Sequence, residues 1–473
     1  VSKIEFLQFI SLLLFCFSSL FVFAQADSEG ADIRVTVDGL TNGKAYLIGQ
    51  FGDQYFRADS SQIVDGGKMH FTTEESYEPG FYFVFVQNQV TLQVLIDKDQ
   101  VFEMNTRKAD PAGAMVVTGS LDNELLFKNL KFETELNPKL SVVTNKLSAL
   151  TEGTAEYDKL KAQQDELVNQ RKKHLASFSE QYPNSFFTIF KMAGQNPELT
   201  YPKKADGTLD TAKQVFNYRN AFWDNVDLTD ERLLRTPVVF NKLKKYMKEI
   251  TPQVPDSIIA SADRLIGRVI GENEYYKFFC NWIALNYEPE KTTVMDPQAI
   301  SVHMVRNYFT KERAFWEDTL QIWRLQQRAE EMEASLIGLK GPNVIAKDPS
   351  GVKRSLYDMK ADYVVVYMYN PTCEHCMEQT PKLVEYYNQW KEKGESVEVY
   401  AIALGTDNEE WTNYIRTVGM KWTNVFDPTN RAIFKKYYVD ITPEVYVLDK
   451  DKVIIAKNIN VDQIQGVINR DRK

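Results

Sequence analysis

Hydrophobic and polar positions follow three rhythms along the chain, and each predicts a different kind of structure. Over residues 31–117 the period is two. Ile33, Val35 and Val37 alternate with polar neighbours, and further short apolar runs cover residues 44–48, 81–86, 92–96 and 114–118. Gly39, Asn42-Gly43 and Asp65-Gly66-Gly67 punctuate them. Alternation with frequent turns predicts a small antiparallel sandwich or barrel.

From Leu121 the spacing becomes helical. Leu136, Leu140, Val143, Leu147 and Leu150 recur at steps of four and three, which is one helix face. Pro138 fits only near a helix start, so a break is expected at Asn137-Pro138. A second stretch through Leu160, Leu167, Leu175 and Phe178 is expected to pair with the first as a hairpin. Helices are also predicted over residues 211–225, 237–250, 257–286 and 302–335. In the last of these Trp316 and Trp323 read as core, and the charged stretch RLQQRAEEME as a solvated face. Residues 338–342 end the helices and read as a linker.

The third rhythm alternates strand and helix. The uninterrupted apolar run at residues 363–369 predicts a buried strand, and residues 376–393 a helix kinked by Pro381. A strand at 397–404, helices at 408–418 and 429–437, strands at 445–448 and 453–456 and a closing helix at 461–468 follow. This order predicts a mixed sheet flanked by helices. The fold class is therefore multidomain: an all-β domain (27–119), an α-helical domain (120–337) and a C-terminal α/β domain (338–473), preceded by a signal segment (1–26).

Composition narrows the function. A chain of 473 residues has room for about three domains. Its net charge of −9 argues against a nucleic-acid partner, which needs a basic face. Residues 6–24 are nearly all apolar, Lys3 precedes them, and Ala24-Gln25-Ala26 supplies small residues at a cleavage site. Export to the periplasm or cell envelope is expected, with an uncleaved membrane anchor as the alternative. Phe15 is too bulky for Cys16 to be a lipidation site, so Cys16 falls in the discarded segment. Outside the cytoplasm, cysteine chemistry concerns disulfides.

Of the four cysteines only Cys373 and Cys376 are close in sequence. They stand as Cys373-Glu374-His375-Cys376 between the strand at 363–369, broken by Asn370-Pro371-Thr372, and a helical pattern. A thiol at a helix N-terminus meets free N–H groups and the positive dipole end, which favour the thiolate. The second thiol, one turn on, is close enough to close a disulfide. Cys280, inside YYKFFCNW, reads as a small buried hydrophobe. His70, His174 and His303 are scattered without metal-ligand spacing and read as structural or exposed.

This C-terminal stretch resembles the thioredoxin superfamily, in its exported TlpA/ResA-like branch. The resemblance rests on the Cys-x-x-Cys capping a helix and on Pro381, eight positions after Cys373 (381 − 373). It rests also on Asp427-Pro428-Thr429 followed by Tyr437-Tyr438-Val439, and on Thr442-Pro443 before a strand, where the family places a cis-proline facing the cysteines. The interval from Cys373 to Pro443, 70 positions (443 − 373), fits the helix and strand that the branch inserts, here around residues 408–424. The resemblance implies Cys373 as nucleophile, Cys376 as resolving thiol, no cofactor beyond a redox-active Cys373–Cys376 disulfide, protein thiol or disulfide clients, and a thiol-reducing electron donor in the membrane. The β and helical domains resemble an arrangement in Gram-negative envelope proteins, with homodimerisation as one use of the β-domain.

Glu374 matches the reducing TlpA/ResA pattern and His375 the oxidising DsbA-like one, so an intermediate potential is expected. Two positions depart from the family. Tyr367 stands where thioredoxin has a buried Asp, and Gly405-Thr406-Asp407 where the ResA-like branch carries a Glu. Asp407 is a candidate proton acceptor for Cys376, or alternatively an N-cap. Two other function classes stay open: a metal carrier holding copper(I) or zinc on Cys373, His375 and Cys376, and a binding or scaffold protein without redox activity.

Overall fold

The computed structural model describes residues 30–473; the signal segment expected over residues 1–26, with Cys16, lies outside the described residues. The chain forms two compact units. One runs to Gln195 and takes in Arg232–Phe240; the other comprises Asn196–Glu231 and Asn241–Lys473. The helical region contributes to both.

The first unit begins with eight strands: β1 (Asp32–Asp38), β2 (Gly43–Phe51), β3 (Gln54–Ile63), β4 (Lys68–Thr72), β5 (Gly80–Val86), β6 (Val90–Ile96), β7 (Val101–Arg107) and β8 (Val116–Thr118). They form two four-stranded sheets, β4-β1-β7-β8 and β3-β2-β5-β6. Ile33, Val35 and Val37 are fully buried, as their alternation requires. The expected antiparallel pairing holds except at one place: β1 and β7 run parallel, from Asp32 opposite Val101 to Asp38 opposite Arg107. Five strands separate the two in the chain, which gives the long connection that a parallel pair needs. The polar strand β3, QYFRADSSQI, lacks the alternation that would have announced it.

Helices α1 (Leu121–Leu147) and α2 (Ala155–Gln181) pair, followed by the short α3 (Phe186–Ala193). The break expected at Asn137-Pro138 does not occur, and α1 runs straight through Pro138. A proline inside a helix costs about 3 kcal/mol, but here α2 braces both sides of it. Arg171 pairs with Glu133 at 2.8 Å and also holds Asn137, while Gln164 donates to Thr144 at 3.0 Å.

In the second unit, α4 (Thr211–Ala221) leads on, and α5 (Pro237–Lys244) enters from the first and widens into a looser turn at Lys245–Ile250. The helix expected over 257–286 is two, α6 (Pro255–Gly267) and α7 (Asn273–Asn286), because Gly271 turns left-handed at φ +103°. That expected over 302–335 is also two, α8 (Pro297–Tyr308) and α9 (Thr319–Glu333); Asp318 caps the second, accepting from the Gln321 N–H at 2.8 Å. Trp316 packs on Tyr276 and Phe309, but Trp323, expected in the core, is 57% exposed.

The C-terminal part is built on β9 (Ile345–Lys347), β10 (Lys353–Ser355), β11 (Tyr363–Tyr369), α10 (Glu374–Glu392), β12 (Val397–Ala403), α11 (Asn408–Val418), β13 (Thr423–Phe426), β14 (Glu444–Leu448), β15 (Ile454–Lys457) and α12 (Ile464–Asp471). The sheet order is β10-β9-β13-β12-β11-β14-β15. The helix expected at 429–437 shrinks to one wide turn, Ala432–Lys436. Strand β11 is an interior strand, parallel to β12 and antiparallel to β14. Tyr363, Val365, Tyr367 and Tyr369 enter one core with Leu383 and Trp390 of α10, while Val364, Val366 and Met368 enter the other with Tyr400 and Tyr446. Burial on both faces explains the uninterrupted apolar run.

Candidate active site

The polypeptide leaves β11 at Tyr369 and turns on Asn370. The Asn370 Oδ1 accepts from both the backbone N–H and the hydroxyl of Thr372, each at 2.8 Å, and its Nδ2 donates to the Gly405 carbonyl at 3.3 Å. The Cys373 N–H donates back to the Asn370 carbonyl at 3.1 Å. This turn sets Cys373 as the N-cap residue of α10, with an extended backbone.

The two sulfurs meet opposite surroundings. Cys373 is partly exposed and Cys376 fully buried. Partial burial pushes the Cys373 thiol up. Hydrogen bonds from the Cys376 and His375 backbone N–H groups, from the Thr442 side chain and from the Cys376 thiol outweigh that, and its pKa lies below the ordinary thiol value. Burial pushes the Cys376 thiol up to about 12, with the charge of Cys373 adding to the rise, against the Asn370 N–H and the Thr442 side chain. Of the two thiols, Cys373 is therefore the more readily deprotonated, and Cys376 keeps its proton.

The loop before β14 closes the site. The Thr442-Pro443 peptide is cis, and the Cys373 Sγ lies 3.2 Å from the Thr442 carbonyl oxygen. Thr442 thus faces both sulfurs. Behind Cys376 stands a set of hydroxyls. Thr380 Oγ1 donates to the Cys376 carbonyl at 2.6 Å and lies 2.8 Å from the Tyr367 hydroxyl; the Tyr414 hydroxyl donates to the same carbonyl at 3.2 Å. Tyr369 stacks on Tyr367 at 5.5 Å and meets Tyr414 at 5.8 Å.

The structure brings Cys373, Cys376, Thr442 and Pro443 together. Glu374 and His375 are exposed in the first turn of α10. Asp407 heads α11 as its N-cap, its Oδ1 accepting from the Glu410 N–H at 2.9 Å. Thr380, Tyr369 and Tyr414 were not singled out in the sequence. Thr380 stands four after Cys376, on the same helix face, and Tyr369 two after Tyr367, on the same strand face; both were open to a periodicity argument. Tyr414 arrives from α11 and has no local signal.

Other candidates are accounted for elsewhere. His70 pairs with Asp32 at 2.9 Å, His303 with Asp263 at 2.6 Å, and His174 stacks on Phe132 at 3.8 Å. Among the described residues, no group of three or more His, Cys, Asp or Glu side chains is placed to hold a metal ion, and no helix is long and apolar enough to cross a membrane.

Comparison with known proteins follows the same division. Residues 337–457 match the AhpC/TSA family, and residues 32–126 match a domain of unknown function, DUF4369. The thiol-disulfide oxidoreductase ResA of Bacillus thuringiensis is 27% identical over 143 residues, which is 30% of this chain and 81% of that protein. The ResA of Bacillus anthracis gives the same figures, 27% over 143 residues, 30% and 81%. Among solved structures, a domain of a "possible thiol-disulfide isomerase" from Cytophaga hutchinsonii is 35% identical, covering 29% of this chain and 93% of that one at a TM-score of 0.27. A thioredoxin-like protein from Bacteroides caccae is 19% identical, covering 58% of this chain and 99% of that one at a TM-score of 0.46.

Proposed function

Residues 337–457 belong to the thioredoxin superfamily as a TlpA/ResA-like thiol–disulfide oxidoreductase domain, and from that premise we propose that the whole chain is an exported enzyme that reduces or isomerises disulfides of cell-envelope proteins. The observation that carries this reading is the asymmetry of the two sulfurs: an accessible thiol of lowered pKa at a helix N-terminus, and a buried, protonated one a turn behind it.

The Cys373 thiolate attacks one sulfur of a client disulfide. The client S–S bond breaks, a Cys373–client mixed disulfide forms, and the departing client thiolate takes up a proton. The Cys376 thiol then loses its proton and attacks the Cys373 Sγ. The second client thiol leaves, and two electrons have passed from the cysteine pair to the client. Thr380 and Tyr414 hold the Cys376 carbonyl in place for that attack, with Tyr367 bonded to Thr380 behind them; Asp407, the N-cap of the helix that carries Tyr414, stands in the region where the resembled branch has a Glu and is the candidate proton acceptor for Cys376. Glu374 and His375, open to solvent beside Cys373, tune the potential in opposite senses. Regeneration needs a dithiol donor of the membrane-bound thiol-reducing class. The apolar segment at residues 6–24 directs the chain to the periplasm or envelope, and the β-sandwich is available for homodimerisation.

The test is trapping. Cys376→Ser should accumulate covalent mixed disulfides with envelope proteins that dithiothreitol releases, and Cys373→Ser should accumulate none. Equal trapping by both variants, or by neither, contradicts the assignment.

A further inference from the structure

Helix α9 carries an uncovered face beside the active-site loop. Its inner face buries Ile322, Ala329 and Met332, the last two packed against Val302 and Val305 of α8. The loop leading to Thr442 is tied to it: Arg328 Nε donates to the Tyr438 hydroxyl at 2.6 Å, and the guanidinium lies 5.7 Å from the centre of that ring. Between α9 and this loop runs a groove of about 380 Å³, walled by Trp323, Arg324 and Arg328 and floored by Ile433, Tyr438 and Val439. Trp323 is 57% exposed, and Arg324, also exposed, makes no ion pair among the described residues. The lining also holds Gln327 and two carboxylates, Glu331 and Asp440, neither of them ion-paired with Arg324 among the described residues. Ile441, the residue after Asp440, is 70% exposed, and Thr442 after it contacts the Cys373 sulfur.

Resting on the reading given under Proposed function, we propose that this groove receives the polypeptide flanking the client's reactive cysteine, selecting an apolar side chain against Trp323 and Val439 and an acidic one at Arg324. A client disulfide must bring its flanking chain along the loop that faces Cys373, and the groove continues that loop outward. Trp and Arg, here the exposed Trp323 and Arg324, are among the residue types that carry most binding energy at interfaces. An unpaired cation on the rim adds a preference of sign. A small disulfide has no flanking chain and reaches Cys373 without touching α9.

Single-turnover reduction by the full reduced chain tests this without an outside reductant. Two synthetic peptides serve as probes, each with one cysteine in a mixed disulfide with glutathione. In one, leucine and aspartate flank the cysteine on both sides; in the other, serine and lysine do. Ellman's reagent is the small disulfide. The native chain should reduce the leucine–aspartate peptide about tenfold faster, in the range of one good interface contact. Trp323→Ala should erase most of that advantage, and Arg324→Glu should invert the charge preference. Both side chains are exposed, so both variants fold, and both should leave the rate with Ellman's reagent within about twofold. Equal rates for the two peptides with the native chain overturn the proposal, as do variants that slow Ellman's reagent equally. If Trp323→Ala instead abolishes self-association in sedimentation without altering peptide rates, the face joins two copies of the chain and the proposal is wrong. A native chain that turns over Ellman's reagent but shows no peptide preference overturns the groove alone; turnover by Cys373→Ser overturns the oxidoreductase reading beneath it.

Discussion

Cys280 in α7 and Cys376 in α10 are both fully buried, and burial pushes both thiols up to about 12. Each has tyrosine hydroxyls close by, Tyr276 and Tyr308 for the first and Tyr367 and Tyr414 for the second. Their immediate environments would not tell them apart. The difference lies one turn away. Cys280 sits in the middle of a helix whose N–H groups are already bonded along the axis. Cys376 has a second sulfur at the helix's open end, where unspent N–H groups lower a thiol's pKa, and a loop carbonyl 3.2 Å from that sulfur. Burial alone makes a cysteine inert; on the function proposed above, burial behind an accessible thiol makes Cys376 the second half of a redox couple.

The largest effect expected from this comparison is on turnover. Cys373→Ser should reduce disulfide turnover by at least about a thousandfold, because it removes the proposed nucleophile. Cys280→Ala should leave turnover within about twofold and instead cost on the order of 1 kcal/mol of stability through the small void it opens. A Cys280 variant that loses activity while staying folded would break the comparison.

Alkylation should sharpen it. With iodoacetamide near neutral pH, Cys373 should be modified first, while Cys376 and Cys280 should react only after unfolding in urea. The Cys373 rate should rise as its thiolate forms, at a midpoint below the ordinary thiol value of 9.0, and Thr442→Val should move that midpoint upward.

The smallest effect is on alkaline stability. A thiol whose pKa is higher folded than unfolded contributes stability that is complete below the unfolded value and is lost as pH rises through the folded one. For Cys280 and reduced Cys376 the window runs from 9.0 to about 12. In denaturation between pH 9 and 11, Cys280→Ala should lose less stability than the native chain, and oxidation of the Cys373–Cys376 pair should remove the contribution of Cys376. An unchanged pH slope in both cases would mean that the two thiols do not titrate as buried groups.

What was legible in the sequence was what neighbouring residues decide together. The run at Tyr363–Tyr369, the turn at Asn370 and the helix behind Cys373 are local, and Pro381 and Pro443 lie at intervals a family resemblance can read. Features set by distant parts of the chain were not. Pro138 lies inside a helix that α2 braces on both sides, and β1 lies parallel to β7 across five intervening strands. Tyr414 reaches Cys376 from a separate helix. Trp323 looked like core because helical spacing says nothing about whether a neighbour covers that face. Gly271 was a visible stop signal overridden by the apolar pattern on both sides.

The most direct test of the central claim is a redox titration of the full chain against glutathione or dithiothreitol, counting free thiols at Cys373 and Cys376. The account predicts one reversible two-electron couple, roughly −200 to −270 mV in the range of reductases and isomerases, lost in Cys373→Ser and unchanged in Cys280→Ala. The absence of a reversible couple, or one that survives Cys373→Ser, would contradict it.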